Sequence, residues 1–221
     1  MKSTNVLGVF KEGKKIFTRN PPGCEGEKVY GENLLVRDNV EYRSWDPNRS
    51  KLAAAILKKI DINFKSNFTV LYLGAATGTT VSHLSDILNK GLIYAIEISP
   101  VSMKKLIDNF KNRENVIPIL EDAFHPEKYK SYVTKKTDVV YQDIAQKQQP
   151  EIFIKNVNKY LKKGGLGFFM VKARSIDVSS KPSNVYENIY KFLKKNNMEI
   201  LTRTNLLPFE KDHELIITTK K

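Results

Sequence analysis

The sequence predicts an α/β protein: a doubly wound, mostly parallel sheet of seven strands with an antiparallel hairpin at one edge, preceded by a small N-terminal antiparallel β domain. Three observations support this. From residue 46 onward, apolar runs of strand length alternate with amphipathic runs of helical period, the pattern of a sheet covered by helices on both faces. The last two strand-like runs are separated by only Pro208-Phe209-Glu210-Lys211, too short for a parallel crossover, so they pair as a hairpin. Before residue 45, β-prone runs are split by Gly and Pro turns and show no helical period. The expected division is therefore 1–45 and 46–221.

Taken in order, residues 6–10 and 14–18 are β-prone runs divided by Glu12-Gly13, and Asn20-Pro21-Pro22-Gly23 marks a turn. Asp46-Pro47 reads as an N-cap with proline at the first helical position. Leu52, Ala53, Ile56, Leu57 and Ile60 then recur at helical spacing, which predicts a helix over 47–60. Strands are predicted at 69–73, 92–96, 116–120, 138–141 and 166–171, and helices at 79–89 and 99–111. Ile154, Val157 and Leu161 trace a helix that stops at Gly164-Gly165, and Val185, Ile189, Phe192 and Leu193 trace another. Residues 199–206 and 214–219 form the edge hairpin. Phe64, Phe68, Phe168 and Phe169 read as core, His83 and His125 as packing residues, and Tyr129 and Tyr132 as amphipathic surface, which leaves no aromatic stacking platform.

With 41% hydrophobic and 10% aromatic residues, the 221-residue chain can bury a core, which excludes a disordered or fibrous chain. The net charge of +13 attracts polyanions, so nucleic acid or an acidic surface is the expected partner, although 30 of the 37 cations are Lys and part of the excess is compositional. Cys24 is the only cysteine, which excludes an intrachain disulfide and a cysteine metal cluster; no metal site is expected. No run approaches the roughly 18 apolar residues of a membrane span, so a reducing, cytoplasmic setting without membrane contact is expected.

The chemistry lies at the ends of the strands. The first strand runs into Gly74-Ala75-Ala76-Thr77-Gly78-Thr79-Thr80 and then a helix, whose free N–H groups suit an anionic ligand group. The loop fails as a dinucleotide fingerprint because Ala76 stands where a second glycine belongs. Glu97 ends the second strand, 23 residues beyond Gly74, where a carboxylate can accept hydrogen bonds from both hydroxyls of a ribose. Asp122 ends the third strand, Asp143 the fourth, and Lys172 follows the fifth. Ligands of open α/β sheets bind at the carboxyl ends of the strands, so these groups face one crevice and a nucleoside is the economical ligand. Each acid by itself could instead be a helix N-cap, Lys172 a first solvated residue, and His213 a structural histidine.

Residues 70–86, centred on Gly74-Ala75-Ala76-Thr77-Gly78-Thr79-Thr80, and residues 42–56, with Trp45-Asp46-Pro47-Asn48-Arg49-Ser50-Lys51, resemble the fibrillarin family, and the length is similar to that of its archaeal members. Supporting segments are Asn20-Pro21-Pro22-Gly23, Val29-Tyr30-Gly31-Glu32, Glu121-Asp122-Ala123, Asp143-Ile144-Ala145-Gln146 and Pro208-Phe209-Glu210-Lys211-Asp212-His213, so the resemblance covers the whole chain. It implies a Rossmann-like methyltransferase fold and an S-adenosylmethionine-dependent RNA 2'-O-methyltransferase acting on rRNA and tRNA. It places the methionine part of the cofactor at Gly74 and Ala75 with Thr79 and Thr80, the ribose at Glu97 and Ile98, and the adenine at Asp122 and Ala123. The sulfonium end falls near Asp143, Ile144, Ala145 and Gln146. The implied catalytic set is Lys51, Asp143, Lys172 and His213: Lys172 binds or deprotonates the 2'-hydroxyl, Asp143 orients it, and Lys51 positions the ribose or its phosphate. Related RNA 2'-O-methyltransferases carry Glu where His213 stands. The implied partners are a box C/D guide RNA, its target rRNA or tRNA, a Nop-family scaffold protein and a kink-turn-binding ribosomal-type protein. The Gly/Arg-rich tail of eukaryotic members is absent, so no nucleolar targeting is expected.

Two rival readings stand beside this one. A dinucleotide-dependent oxidoreductase would use the same crevice but fits the degenerate glycine loop and the rim of acids and lysines less well. A non-catalytic RNA-binding assembly protein that keeps the fold would be favoured by a broken Lys51, Asp143, Lys172 set, and the set is intact.

Overall fold

The structure, a computed structural model, describes residues 1–220. Its N-terminal sheet is antiparallel, with β1 (Lys2–Ser3), β2 (Val9–Glu12), β3 (Lys15–Arg19), β4 (Leu34–Arg37) and β5 (Val40–Trp45) in the order β1-β2-β3-β5-β4. The β2 strand starts later than the β-prone run suggested, because Val6 and Gly8 belong to a turn closed by the Val9 N–H on the Val6 carbonyl at 3.1 Å, and β3 is displaced by one residue. The β4–β5 hairpin, which propensity alone did not reveal, turns at Asp38 and Asn39. Both have positive φ (52° and 59°), a conformation these residue types tolerate.

The second unit runs α1 (Lys51–Leu57), β6 (Thr69–Leu73), α2 (Thr79–Ile87), β7 (Leu92–Glu97), α3 (Pro100–Asn109), β8 (Val116–Leu120), β9 (Thr137–Gln142), α4 (Gln149–Tyr160), β10 (Leu161–Lys172), α5 (Ala173–Ile176), α6 (Pro182–Lys195), β11 (Met198–Asn205) and β12 (His213–Lys220). The seven strands are ordered β11-β12-β10-β9-β6-β7-β8; β12 runs antiparallel to both its neighbours and the remaining pairs are parallel. Leu52, Leu84 and Leu106 of α1, α2 and α3 pack on one face, and Phe153 and Ile189 of α4 and α6 on the other, which is the doubly wound arrangement expected. Strand order reverses between β6 and β9, so the chain leaves these neighbours in opposite directions and a crevice opens beyond their carboxyl ends.

Several expectations are corrected. The first helix is seven residues long rather than spanning 47–60: Ser50, not Asp46, is the N-cap and accepts from the Ala53 N–H, while the Asp46 carboxylate takes the Asn48 N–H at 2.8 Å in a separate turn. Leu161 follows the helical period yet has extended backbone and begins β10, so α4 ends at Tyr160. Gly164-Gly165 lies within an irregularity of the strand instead of stopping the helix. Tyr129 is buried, not surface: it stacks on Tyr160 at 5.6 Å and donates to Asn156. His125 is half-exposed and pairs with Glu127 at 3.1 Å rather than packing. His83 is fully buried, as read, and Tyr132 is exposed.

The two sheets share one core, in which Val9, Ile16 and Trp45 meet Leu52, Leu84 and Ile93. Across the seam, buried Arg43 reaches Glu32 at 2.5 Å, Asp86 at 2.8 Å and Ser82 at 2.9 Å, and Arg113 reaches Asp86 at 2.5 Å. Burial alone would push the Glu32 carboxyl up, but the Arg43 guanidinium and the N–H groups of Tyr30 and Val29 hold it below its ordinary range. His83 stacks on Trp45 at 4.6 Å, with Thr18 Oγ1 at 2.7 Å and Tyr30 Oη at 2.8 Å from its two nitrogens. Burial, with Arg43 and Arg113 nearby, holds its pKa well below the ordinary value, so it is neutral. This network ties the N-terminal sheet to α2, the helix that begins at the glycine loop.

Candidate active site

The crevice between β6 and β9 is built by two loops that touch. Gly74 follows β6 with φ +84°, and a Cβ there would lie 2.5 Å from the Asp143 carbonyl oxygen, so only glycine allows the loops this approach. The Asp143 N–H bonds the Leu73 carbonyl at 3.0 Å, which locks the second loop to the first strand. Gly78 caps α2 at φ +95°, and a Cβ there would strike the Phe110 ring at 2.3 Å.

A cleft of about 230 Å³ lies at these strand ends, lined by Gly74, Ala76, Ile96, Glu97, Ile98, Glu121, Asp122, Ala123, Asp143, Ile144, Ala145, Gln146 and Lys172. Nine of the residues that the resemblance assigned to the cofactor therefore meet in one place. Ala75, Thr79 and Thr80 do not line it: Ala75 and Thr80 are buried, and Thr80 Oγ1 lies 3.0 Å from Ser50 Oγ. Glu97 is held rigidly, its two carboxylate oxygens accepting the N–H groups of Ala76 and Ser99, each at 2.8 Å. Asp122 Oδ1 accepts the Phe124 N–H at 2.8 Å in a local turn, and no helix follows, so Asp122 is not a helix N-cap.

At the open end of the cleft, residues from four elements converge. Lys51 is the first residue of α1, and its Nζ lies 3.1 Å from Asp143 Oδ1; Lys172 ends β10, and its Nζ lies 3.6 Å from the same oxygen. Two ammonium groups thus share one mostly buried carboxylate, whose Oδ1 makes no well-aligned hydrogen bond. His213 pairs with Lys172 across the β10–β12 ladder, so the edge hairpin does fold back to this rim. Its Nδ1 donates to the Lys211 carbonyl at 2.7 Å, leaving Nε2 as the acceptor nitrogen of the neutral ring. Burial and the charges of Lys51 and Lys172 hold the His213 pKa below the ordinary value. Beneath Asp143, Tyr72 and Tyr141 stack at 4.5 Å, and burial pushes both phenols far up, so they remain neutral.

Sequence reasoning overlooked Gln142 and Gln149, both fully buried amides next to Asp143 and Lys172. The one signal for Gln142 was a polar side chain closing an apolar strand. Gln149 gave none, because it opens α4 at the end of a polar run that begins after β9.

A profile of the family described as fibrillarin matches residues 1–221. The chain belongs to the fibrillarin family. Among fibrillarin-like relatives, a protein of Methanocaldococcus jannaschii named fibrillarin-like rRNA/tRNA 2'-O-methyltransferase is 46% identical over 205 residues, covering 92% of this chain and 88% of that one. An Aeropyrum pernix fibrillarin, solved in complex with natively bound S-adenosyl-L-methionine, superposes with a TM-score of 0.84 at 41% identity, over 93% of this chain and 89% of that one. A fibrillarin solved as a fibrillarin/Nop5p complex superposes with a TM-score of 0.89 at 41% identity, over 98% and 99%. Among the described residues no helix is long and apolar enough to cross a membrane.

Proposed function

We propose that this chain is the catalytic subunit of a box C/D guide ribonucleoprotein and transfers a methyl group from S-adenosylmethionine to ribose 2'-hydroxyls of rRNA and tRNA. The observation that carries the site assignment is the shared carboxylate: Asp143 holds Lys51 at 3.1 Å and Lys172 at 3.6 Å at the mouth of a nucleoside-sized cleft. Family membership and the relatives' activity support the same reading.

The residues present fit the cofactor. Glu97 has spent one acceptor site on each oxygen and keeps another on each for the two ribose hydroxyls, and its backbone bonds fix it before the ligand arrives. The close approach at Gly74 sets the loop that would hold the amino-acid end directly against Asp143. A volume of about 230 Å³ suits one nucleoside with the rest of the ligand reaching toward Asp143, and is small for a whole dinucleotide. When bound, S-adenosylmethionine supplies a methyl carbon already activated by a positive sulfur.

The protein must then align the ribose hydroxyl and take its proton. Asp143 orients Lys172, which binds the hydroxyl and, in its neutral amine form, accepts the hydroxyl proton as the oxygen takes the methyl group from sulfur. Lys51 neutralises Asp143 from the other side and meets the ribose or its phosphate. Holding oxygen and methyl in line contributes several kcal/mol of barrier reduction, and proton acceptance about 100- to 10,000-fold. His213 borders Lys172 and, with Nε2 free of a proton, can accept a hydrogen bond from the ribose.

Target choice comes from base pairing to a guide RNA, with a Nop-family scaffold and a kink-turn-binding protein holding the enzyme over the nucleotide. The solved fibrillarin/Nop5p complex supports the scaffold part. The cations are dispersed along the chain and suit sequence-independent phosphate attraction. The test is methyl transfer from labelled cofactor in the assembled particle, with the guide's complementary region shifted. The methylated position should shift with it, and the isolated chain should methylate RNA poorly; efficient modification of one fixed nucleotide whatever the guide would overturn this reading.

A further inference from the structure

We propose that Gln149 is a positioning residue for methyl transfer: its buried side-chain amide stands in for a missing strand and holds the backbone of Lys172, and hence its ammonium, beside Asp143. The inference rests on the catalytic reading of Lys172 given above.

The parallel pairing of β9 with β10 reaches only to Phe169 opposite Gln142, whereas β10 continues to Lys172 opposite His213 of β12. The end of β10 therefore has a neighbouring strand on one edge only. On the other edge, the backbone of Lys172 would be left with an unpaired donor and acceptor in the interior. Gln149, the first residue of α4 and 0% exposed, supplies both partners. Its Oε1 accepts the Lys172 N–H at 3.1 Å, and its Nε2 donates to the Lys172 carbonyl at 3.2 Å. A carboxamide carries the same donor and acceptor as a peptide group, so one side chain replaces one rung of the ladder.

The clamp is itself anchored. Gln142, also fully buried, donates from Nε2 to the Gln149 carbonyl at 2.8 Å. Gln142 ends β9 and immediately precedes Asp143, so a chain of three hydrogen bonds runs from the strand end that carries Asp143, through Gln149, to the strand end that carries Lys172. The Lys172–Asp143 contact at 3.6 Å spans the same gap. A lysine stem has four rotatable methylenes, so the place of Nζ depends on where the backbone starts it. A residue kept only to fill space would be apolar here, because a buried amide is costly unless fully bonded, and both of this one's side-chain groups are spent on Lys172.

The decisive experiment is a double-mutant cycle on the assembled guide particle, measuring single-turnover methyl transfer for wild type, Gln149→Met, Lys172→Ala and the pair. Methionine keeps the volume and removes both hydrogen bonds. Gln149→Met should slow transfer by about 10- to 100-fold while cofactor affinity, measured by calorimetry, stays within about 2-fold. In the Lys172→Ala background the same substitution should cost less than about 2-fold, because the residue it acts through is gone. An equal loss in both backgrounds would show a general structural role and overturn the proposal, as would wild-type speed in Gln149→Met. Should that variant not fold, Gln149→Asn keeps the neutral amide but draws it back by one methylene, so that it no longer spans both Lys172 backbone groups. It should then slow transfer as well, with the same disappearance in the Lys172→Ala background. A wild-type particle that binds its guide but transfers no methyl group would overturn the methyltransferase reading and this inference together, whereas an active wild type with an indifferent Gln149 overturns this inference alone.

Discussion

Replacing Gly74 with alanine tests whether the two loops of the crevice set the reactive geometry. At φ +84° a Cβ residue pays roughly 1–2 kcal/mol for the left-handed backbone alone. The new Cβ would also lie 2.5 Å from the Asp143 carbonyl oxygen, 3.0 Å from Ile144 Cγ1 and 3.1 Å from the Asp143 carbonyl carbon. Ordinary contact begins near 3.4 Å, so the Asp143 backbone must retreat by about 1 Å. Asp143 is the group that holds both ammonium ions, and a shift of about 1 Å in a reacting constellation costs on the order of 100-fold in rate. At about 2–4 °C per kcal/mol for a chain of this size, the strain should lower the melting temperature by about 2–8 °C. Scanning calorimetry and single-turnover methyl transfer, both on Gly74→Ala, read the two effects. Gly13→Ala is the control: it has a similar φ of +59° but nothing within 4 Å of its Cβ, so it should be destabilised by strain and keep full activity. A destabilised but fully active Gly74→Ala would refute the claim that this contact positions Asp143.

Glu97→Ala should weaken cofactor binding by about 1–3 kcal/mol, since two ribose hydroxyls lose a charged acceptor; unchanged affinity in calorimetry of the folded variant would remove Glu97 from the site. Lys172→Ala should lower turnover by at least about 100-fold while cofactor affinity hardly moves, and full single-turnover activity would eliminate Lys172 as proton acceptor. Arg43→Met leaves Glu32 and Asp86 buried with fewer partners and should cost about 3–5 kcal/mol in urea unfolding, a change under about 1 kcal/mol showing the seam network to be dispensable. His83 is held neutral in the fold but binds a proton in the unfolded chain as pH falls through its ordinary value of 6.5. The unfolded state then binds more protons, so stability should fall by about 1.4 kcal/mol per pH unit from pH 6.5 downward until the folded-state value is reached. His83→Gln should show a shallower fall between pH 7 and pH 5.5, and an unchanged slope would contradict a neutral His83.

The residue pattern alone specified the α/β alternation and the side of the sheet on which chemistry occurs. Residues such as Val70-Leu71-Tyr72-Leu73 must be buried on both faces, and the first charged residue of each apolar run, Glu97 at the end of β7 or Lys172 at the end of β10, marks the strand end. It also determined the edge hairpin, because the seven residues between β11 and β12 are too few for a parallel crossover. The ends of elements were less legible, since they depend on which of several candidate groups wins a hydrogen bond. Ser50 and not Asp46 caps α1, and Leu161 leaves the helix because its backbone joins the sheet beside Thr137. How far apart the reactive groups stand is set by tertiary contacts. Lys51, Asp143, Lys172 and His213 are separated by long stretches of chain, and their meeting depends on strand order, on the Gly74–Asp143 contact and on the buried amides of Gln142 and Gln149. The burial of Tyr129 and the seam network from Arg43 to Asp86 were hidden for the same reason: a polar side chain in the sequence reads as surface until a partner distant in the chain satisfies it in the interior.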